Sequence, residues 1–261
     1  MNDNYGVKGR VRRLEQRKQW GFSEGPLNQV PNFANYDVEF SSTGLVLAKS
    51  SYTHGGAVHR STRFEYNPAG QLVHSEEFDS HGQKLEVSEF VYSESKCKWV
   101  TRDVSGATTS HGVDEFDGTN LVLSSRYDSK GNPKSLKSFE YEEGKLSRSV
   151  SKYYGYDGAV SEQWMTFYDA MGRAAKTFGL RADGSPLGDG KYAYEYDRES
   201  RQIKVWTFND WEDVACSVSV SEYRNDAAGN WVERHDFHRS KNDSRWTKTT
   251  TTRTLSYFPA D

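Results

Sequence analysis

The closest grouping of metal-capable side chains in this sequence is His235-Asp236-Phe237-His238. On a strand, side chains alternate, so His235 shares a face with Phe237 and Asp236 shares the other with His238. A histidine and a carboxylate on one face can begin a metal site, but a third ligand is not visible, and an ordinary mixed strand is the better reading. Nucleophile-elbow and zinc-protease patterns are absent. Gly184 to Tyr192 has the outline of a phosphate loop, but Ser185 stands where glycine is needed and Tyr192 where Ser or Thr is needed. Asp79, Asp128, Asp169 and Asp183 precede turn glycines, where a carboxylate caps the turn instead of serving as an acid or base. The sequence therefore predicts a protein that is not an enzyme, with no catalytic residue, no metal and no cofactor. The side chains with binding chemistry are Trp206, Phe208 and Trp211. Ile203 takes the apolar slot after a turn, which places Trp206 and Phe208 on the opposite, wetter face, with Trp211 in a loop beside Asp210 and Glu212. Aromatics on such a face signal a partner surface.

The elements that must carry these residues recur. Phe40, Tyr66, Tyr92, Phe116, Tyr141, Tyr168, Tyr196 and Tyr223 are separated by 26, 26, 24, 25, 27, 28 and 27 residues. So regular a period marks units that bury their apolar faces only against neighbours. In Phe64-Glu65-Tyr66-Asn67-Pro68-Ala69-Gly70-Gln71-Leu72, alternation puts Phe64 and Tyr66 on one face and Glu65 on the other. Asn67 opens a turn, Gly70 closes it with positive φ, and Leu72 restarts the apolar face. A second turn follows half a period on, as in Phe78-Asp79-Ser80-His81-Gly82. Each unit thus reads as strand, turn, strand, turn, with strands of roughly 8 to 10 residues in a long antiparallel meander. The segments after Tyr92 and Tyr196 lack a turn glycine and read as longer or irregular loops.

With 34% hydrophobic and 14% aromatic residues, the chain is too polar for a thick two-sided core and too aromatic for disorder. The fold expected is all-β: about eight hairpin repeats of roughly 26 residues in a single curled or spiral sheet with one buried face. Its parts are an N-terminal cap and first strand at 1–35, the repeat sheet at 36–240 and a closing strand at 241–261. Net charge is −3, which excludes a nucleic-acid or anionic-membrane footprint over the whole surface. Lys8, Arg10, Arg12, Arg13, Arg17 and Lys18 accompany only Glu15. They form either a basic patch for an acidic partner or a solvated first strand whose charges block edge pairing. Cys97 and Cys216 have no metal or redox spacing and read as free thiols of a reducing compartment. The start, Met1 to Gly6, has no apolar leader segment, and no run approaches the ~18 apolar residues of a helical span. These features give the expectation of a cytoplasmic bacterial protein.

The run of Tyr/Phe-Asp/Asn-x-x-Gly-x-apolar units, best seen at Asn67–Leu72, Asp128–Gly131 and Tyr168–Gly172, resembles the YD repeats of Rhs-type proteins. That resemblance implies an antiparallel sheet spiralling into a curved wall or shell. Small stand-alone members of that family look like interaction proteins, some of them immunity proteins beside polymorphic toxins. It therefore implies a non-enzymatic cytosolic immunity protein that sterically blocks a cognate toxin. The alternative is a carbohydrate-binding or cell-surface interaction module with aromatic platforms.

Overall fold

The computed structural model describes residues 7, 8, 10–21, 35–53, 55–208, 215–240 and 246–259. Eighteen strands follow one another along the chain in a single antiparallel sheet. The turns explain why. At the Tyr66 turn, Asn67 N donates to Gln71 O at 2.9 Å and Gly70 N to Asn67 O at 2.9 Å. The Asn67 side-chain oxygen accepts from Ala69 N at 3.1 Å and Gln71 N at 2.9 Å. Gly70 sits at φ 77°, where a side chain would be strained. Asp79, Asp103, Asp128, Asp169 and Asp226 accept the same pair of backbone bonds in their own turns. The Asn67, Asp79, Asp103, Asp128 and Asp169 turns each bring a one-residue bulge, as between Glu65 and Tyr66, and the bulge re-aims the strand that follows.

Two turns depart from the irregular loops expected. Asp197 and Arg201 close the Tyr196 turn with the bonds of the glycine turns, and Ser200 takes the left-handed conformation at φ 62°. The Tyr92 connection is shorter, not longer: Ser93 N donates directly to Lys96 O at 2.8 Å.

The expectation of an open curled or spiral sheet is overturned. β1 (Val11–Gly21) pairs along its length with β18 (Thr247–Tyr257), from Val11↔Tyr257 to Gly21↔Lys248. It pairs on its other side with β2 (Tyr36–Phe40), Leu14 opposite Val38. The first strand is therefore paired on both sides, on the β2 side over Arg13–Gln16, and the sheet is a closed 18-strand antiparallel barrel. The physical reason is that an open meander leaves two unpaired backbone edges, which closure removes. Arg13 and Glu15 accordingly lie between two paired strands and are not edge-blocking charges.

The chain divides into two compact units. The first comprises Met1–Glu89, Ser221–Phe237 and Thr247–Asp261, and it holds the main buried cluster: Val11, Leu14, Val38 and Phe40. The second comprises Phe90–Val220 and His238–Trp246. It contains β10 (Pro133–Glu142), β11 (Lys145–Tyr154), β12 (Val160–Tyr168), β13 (Ala174–Arg181), β14 (Pro186–Tyr196) and β15 (Gln202–Phe208).

Candidate functional site

In the first unit, register places Arg13, Glu15 and Arg17 of β1 on one face with Asp37 and Glu39 of β2. Asp37 is buried, and its carboxylate accepts from Arg17 Nη1 at 2.7 Å, Arg13 Nη2 at 2.8 Å and the Tyr52 hydroxyl at 2.8 Å. Burial alone would push its pKa up, but the two guanidinium groups and the hydroxyl outweigh that and hold it below the usual carboxylate value. The opposite face carries the apolar cluster around Leu14 and Val38 and then turns polar. There Arg253 of β18 lies 3.6 Å from the Trp231 ring centroid and donates to Gln16 Oε1 at 3.1 Å. A depression of about 490 Å³ on the polar stretch is lined by Tyr36, Lys49, Ser51, His59, Arg60, Thr62 and Glu77, with Arg60 and Glu77 ion-paired.

The His-Asp-Phe-His segment lies in β17 (Trp231–Ser240) and is consumed by the wall. His235 bonds Thr250 Oγ1 at 3.1 Å and contacts Glu233 at 2.9 Å, His238 bonds Ser219 at 2.9 Å, and Asp236 accepts from Ser221 at 2.7 Å and Arg234 at 3.0 Å. Among the described residues, no three His, Cys, Asp or Glu side chains converge as a metal site.

The two faces of the second unit differ, with paired hydroxyls on one of them beside a cation–ring pair of that wall, Lys137 Nζ 4.9 Å from the Phe139 ring centroid. One row of paired residues runs Phe139, Ser149, Thr166, Thr177, Tyr192, Thr207 across β10 to β15. It is a hydroxyl ladder: Ser149 bonds Tyr168, and Thr166 bonds Thr177 at 3.2 Å. Trp164, two residues before Thr166, stacks on Tyr192 with centroids 6.1 Å apart and lies over Gly179, its direct partner. A Cβ on Gly179 would come within 3.0 Å of the Trp164 ring. Trp99 covers its partner Gly112 in the same way. The indoles thus fill space that the glycines leave open.

The other face alternates cations with rings. Glu140, Arg148, Phe167, Lys176, Ala193 and Trp206 form one row. Val150, Met165, Phe178, Lys191 and Phe208 form the next. Lys204 Nζ is 4.5 Å from the Trp206 ring centroid, Lys191 Nζ 4.9 Å from that of Phe208, and Arg148 Cζ 5.8 Å from that of Phe167. Trp206 and Phe208 are half-buried beneath these cations, on the face opposite Tyr192 and Tyr194. Trp211 lies outside the described residues. The cation partner of each ring was missed in the sequence, although Lys204-Val205-Trp206 at alternate spacing carries the signal for one of them.

No family model matches the chain, and no curated protein matches it. Among solved structures, it is similar to a porin-like protein from Bacteroides uniformis, at 12% identity over 94% of this chain and 96% of that one, with a TM-score of 0.50. A second porin-like protein, from Bacteroides vulgatus, matches at 13% identity over 74% of this chain and 96% of that one, with a TM-score of 0.40. The first likeness is one of fold, and it corrects the sequence reading at three points. A closed porin-like barrel is not the spiral shell of YD-repeat proteins, so the period of about 26 residues reflects hairpins of equal length and not membership of that family. The cytoplasmic expectation rested partly on the lack of an apolar helix. No described helix is long and apolar enough to cross a membrane, but barrels cross with strands, and the likeness is to a porin-like fold. The immunity role depended on both of these premises and falls with them.

Proposed function

We propose that this chain is a non-enzymatic binding barrel that works at the cell surface in water, not in the bilayer. The observation carrying the second half is the register. A membrane-spanning barrel presents one face with an apolar band ~25 Å tall, and a Lys or Arg on that face near mid-membrane costs about 2–4 kcal/mol. Among the described residues, neither face of either unit has such a band. In the first unit, Glu15, Arg17 and Asp37 occupy one face, and Lys49, Arg60 and Glu77 the other. In the second, Arg148, Lys176 and Lys191 lie on one face, and Lys137 and Glu162 on the other. The surface location is supported by likeness to a porin-like protein. The binding role is supported by Trp206 and Phe208, rings that lie beneath lysine ammonium groups rather than sealed in a core.

Fractionation of cells carrying the native gene tests this reading. The expected result is protein on the outside of intact cells, open to added protease and released by salt or alkaline washing without detergent. Recovery in the cytosol, or extraction by detergent alone, contradicts it.

A further inference from the structure

We infer that the cation-and-ring face of β10 to β15 binds a linear anionic polysaccharide of low charge density. The inference deepens the surface-binding reading by naming the ligand class of the face that carries Trp206 and Phe208. The chain as a whole is net −3. Among the described side chains of this face, between the turns, Arg148, Lys152, Lys176, Lys191 and Lys204 outnumber Glu140 and Glu195. The sign of the face is thus opposite to that of the molecule and complementary to a polyanion. Arg148 has one ion pair, with Glu140 at 3.5 Å, and Lys176 is exposed.

The spacing selects the kind of polyanion. Arg148 and Lys176 share a row and stand two strands apart, about 10 Å at the usual inter-strand distance. Phe167 lies between them in that row and is 40% exposed. A cation, an exposed ring and a second cation suit a chain that alternates charged and uncharged sugar rings, with an apolar sugar face on the phenyl ring and carboxylates or sulfates on the flanking cations. Duplex nucleic acid, with one charge per ≈ 1.7 Å of axis, is far denser than this cation array. A neutral glycan offers no charge complementary to the net positive sign of this face, and the hydroxyl ladder on the opposite face suits it better.

The test titrates the purified full chain with hyaluronan, which carries one carboxylate per disaccharide, and in parallel with neutral dextran and single-stranded DNA. Binding is read by tryptophan fluorescence and by an immobilised-ligand assay at two salt concentrations. The expected result is saturable hyaluronan binding that weakens with salt, and no binding to dextran. Lys152→Gln/Lys176→Gln/Lys204→Gln should weaken hyaluronan binding by about tenfold or more and flatten its salt dependence. Trp206→Ala should weaken binding by a comparable factor while leaving the salt dependence in place. Circular dichroism confirms that each variant is folded, and Lys176→Gln alone, at an exposed position, serves if the triple variant is not. Equal binding to dextran, tighter binding to the DNA, no binding to hyaluronan, or unchanged hyaluronan binding in the folded lysine variants would each overturn the inference. Surface protein that ignores hyaluronan sinks this inference alone. Cytosolic protein that binds it sinks the surface reading alone.

Discussion

The β1–β2–β18 region and the β10–β15 wall are built from the same hairpins but are held together differently. Around β1, Leu14 and Val38 are completely buried, Val11 and Phe40 nearly so, and Asp37 is fixed by two arginines and a tyrosine. Across β10 to β15, no described large apolar side chain is buried, and the wall relies on backbone ladders, paired hydroxyls and rings laid over glycines or under cations. The difference teaches where each kind of work is done. Closure needs burial, because bringing the first and last strands together costs loop entropy that local pairing does not recover. The wall gains nothing comparable from burial and leaves more of its side chains open to solvent.

Substitutions can break or sharpen that contrast. Leu14→Ala should cost about 2–5 kcal/mol in urea unfolding, because it opens a cavity in a sealed cluster. Met165→Ala, in the half-buried wall, should cost clearly less; equal losses would erase the distinction. Gly179→Ala pushes a methyl into the Trp164 ring and Leu187, and should cost about 1–3 kcal/mol with a change in tryptophan emission. Asp37→Ala leaves Arg13 and Arg17 half-exposed without their shared acceptor and should cost roughly 1–2 kcal/mol.

The pH dependence of stability has a definite sign. Asp37 is held below its ordinary pKa, so its contribution is complete above about pH 4 and is lost as pH falls through its lowered value. Asp128 behaves likewise in its turn: the Asn132 side chain and two backbone N–H groups bring it to about 2, against the opposing effect of desolvation. Acid titration of wild type against Asp37→Asn should therefore show the two curves converging below about pH 4. Parallel curves down to pH 2 would remove the carboxylate from the account. The smallest effect expected is Ser200→Gly, which relieves a left-handed serine and should gain under about 1 kcal/mol. A loss on that change would mean the Tyr196 turn is not the one described.

Much of the wall was legible in the sequence because turn chemistry is local. Asn67, Asp128 and Asp169 announce their hairpins, and alternation separates Trp206 and Phe208 from Tyr194 and Tyr196. Closure was not legible. Whether Val11 meets Tyr257 depends on summed twist and stagger over all the strands, which no single hairpin encodes. The regular spacing fitted a shell and a barrel equally well, because both are made from hairpins of one length. The Tyr196 turn was misread because serine rarely takes positive φ, although Asp197 and Arg201 keep the pattern around it. The lysines over Trp206 and Phe208 needed register as well as pattern, since Lys191 comes from the neighbouring strand.

Closure at the β1–β18 seam is the claim on which the rest depends, and a paired-cysteine experiment reaches it most directly. Glu15 and Thr254 are register partners across that seam. Oxidation of the Glu15→Cys/Thr254→Cys variant should give an intrachain disulfide between positions 15 and 254 in the monomer, identified by peptide mapping. Free thiols at both positions, or cross-links formed only between separate molecules, would show that the sheet is open and contradict the account.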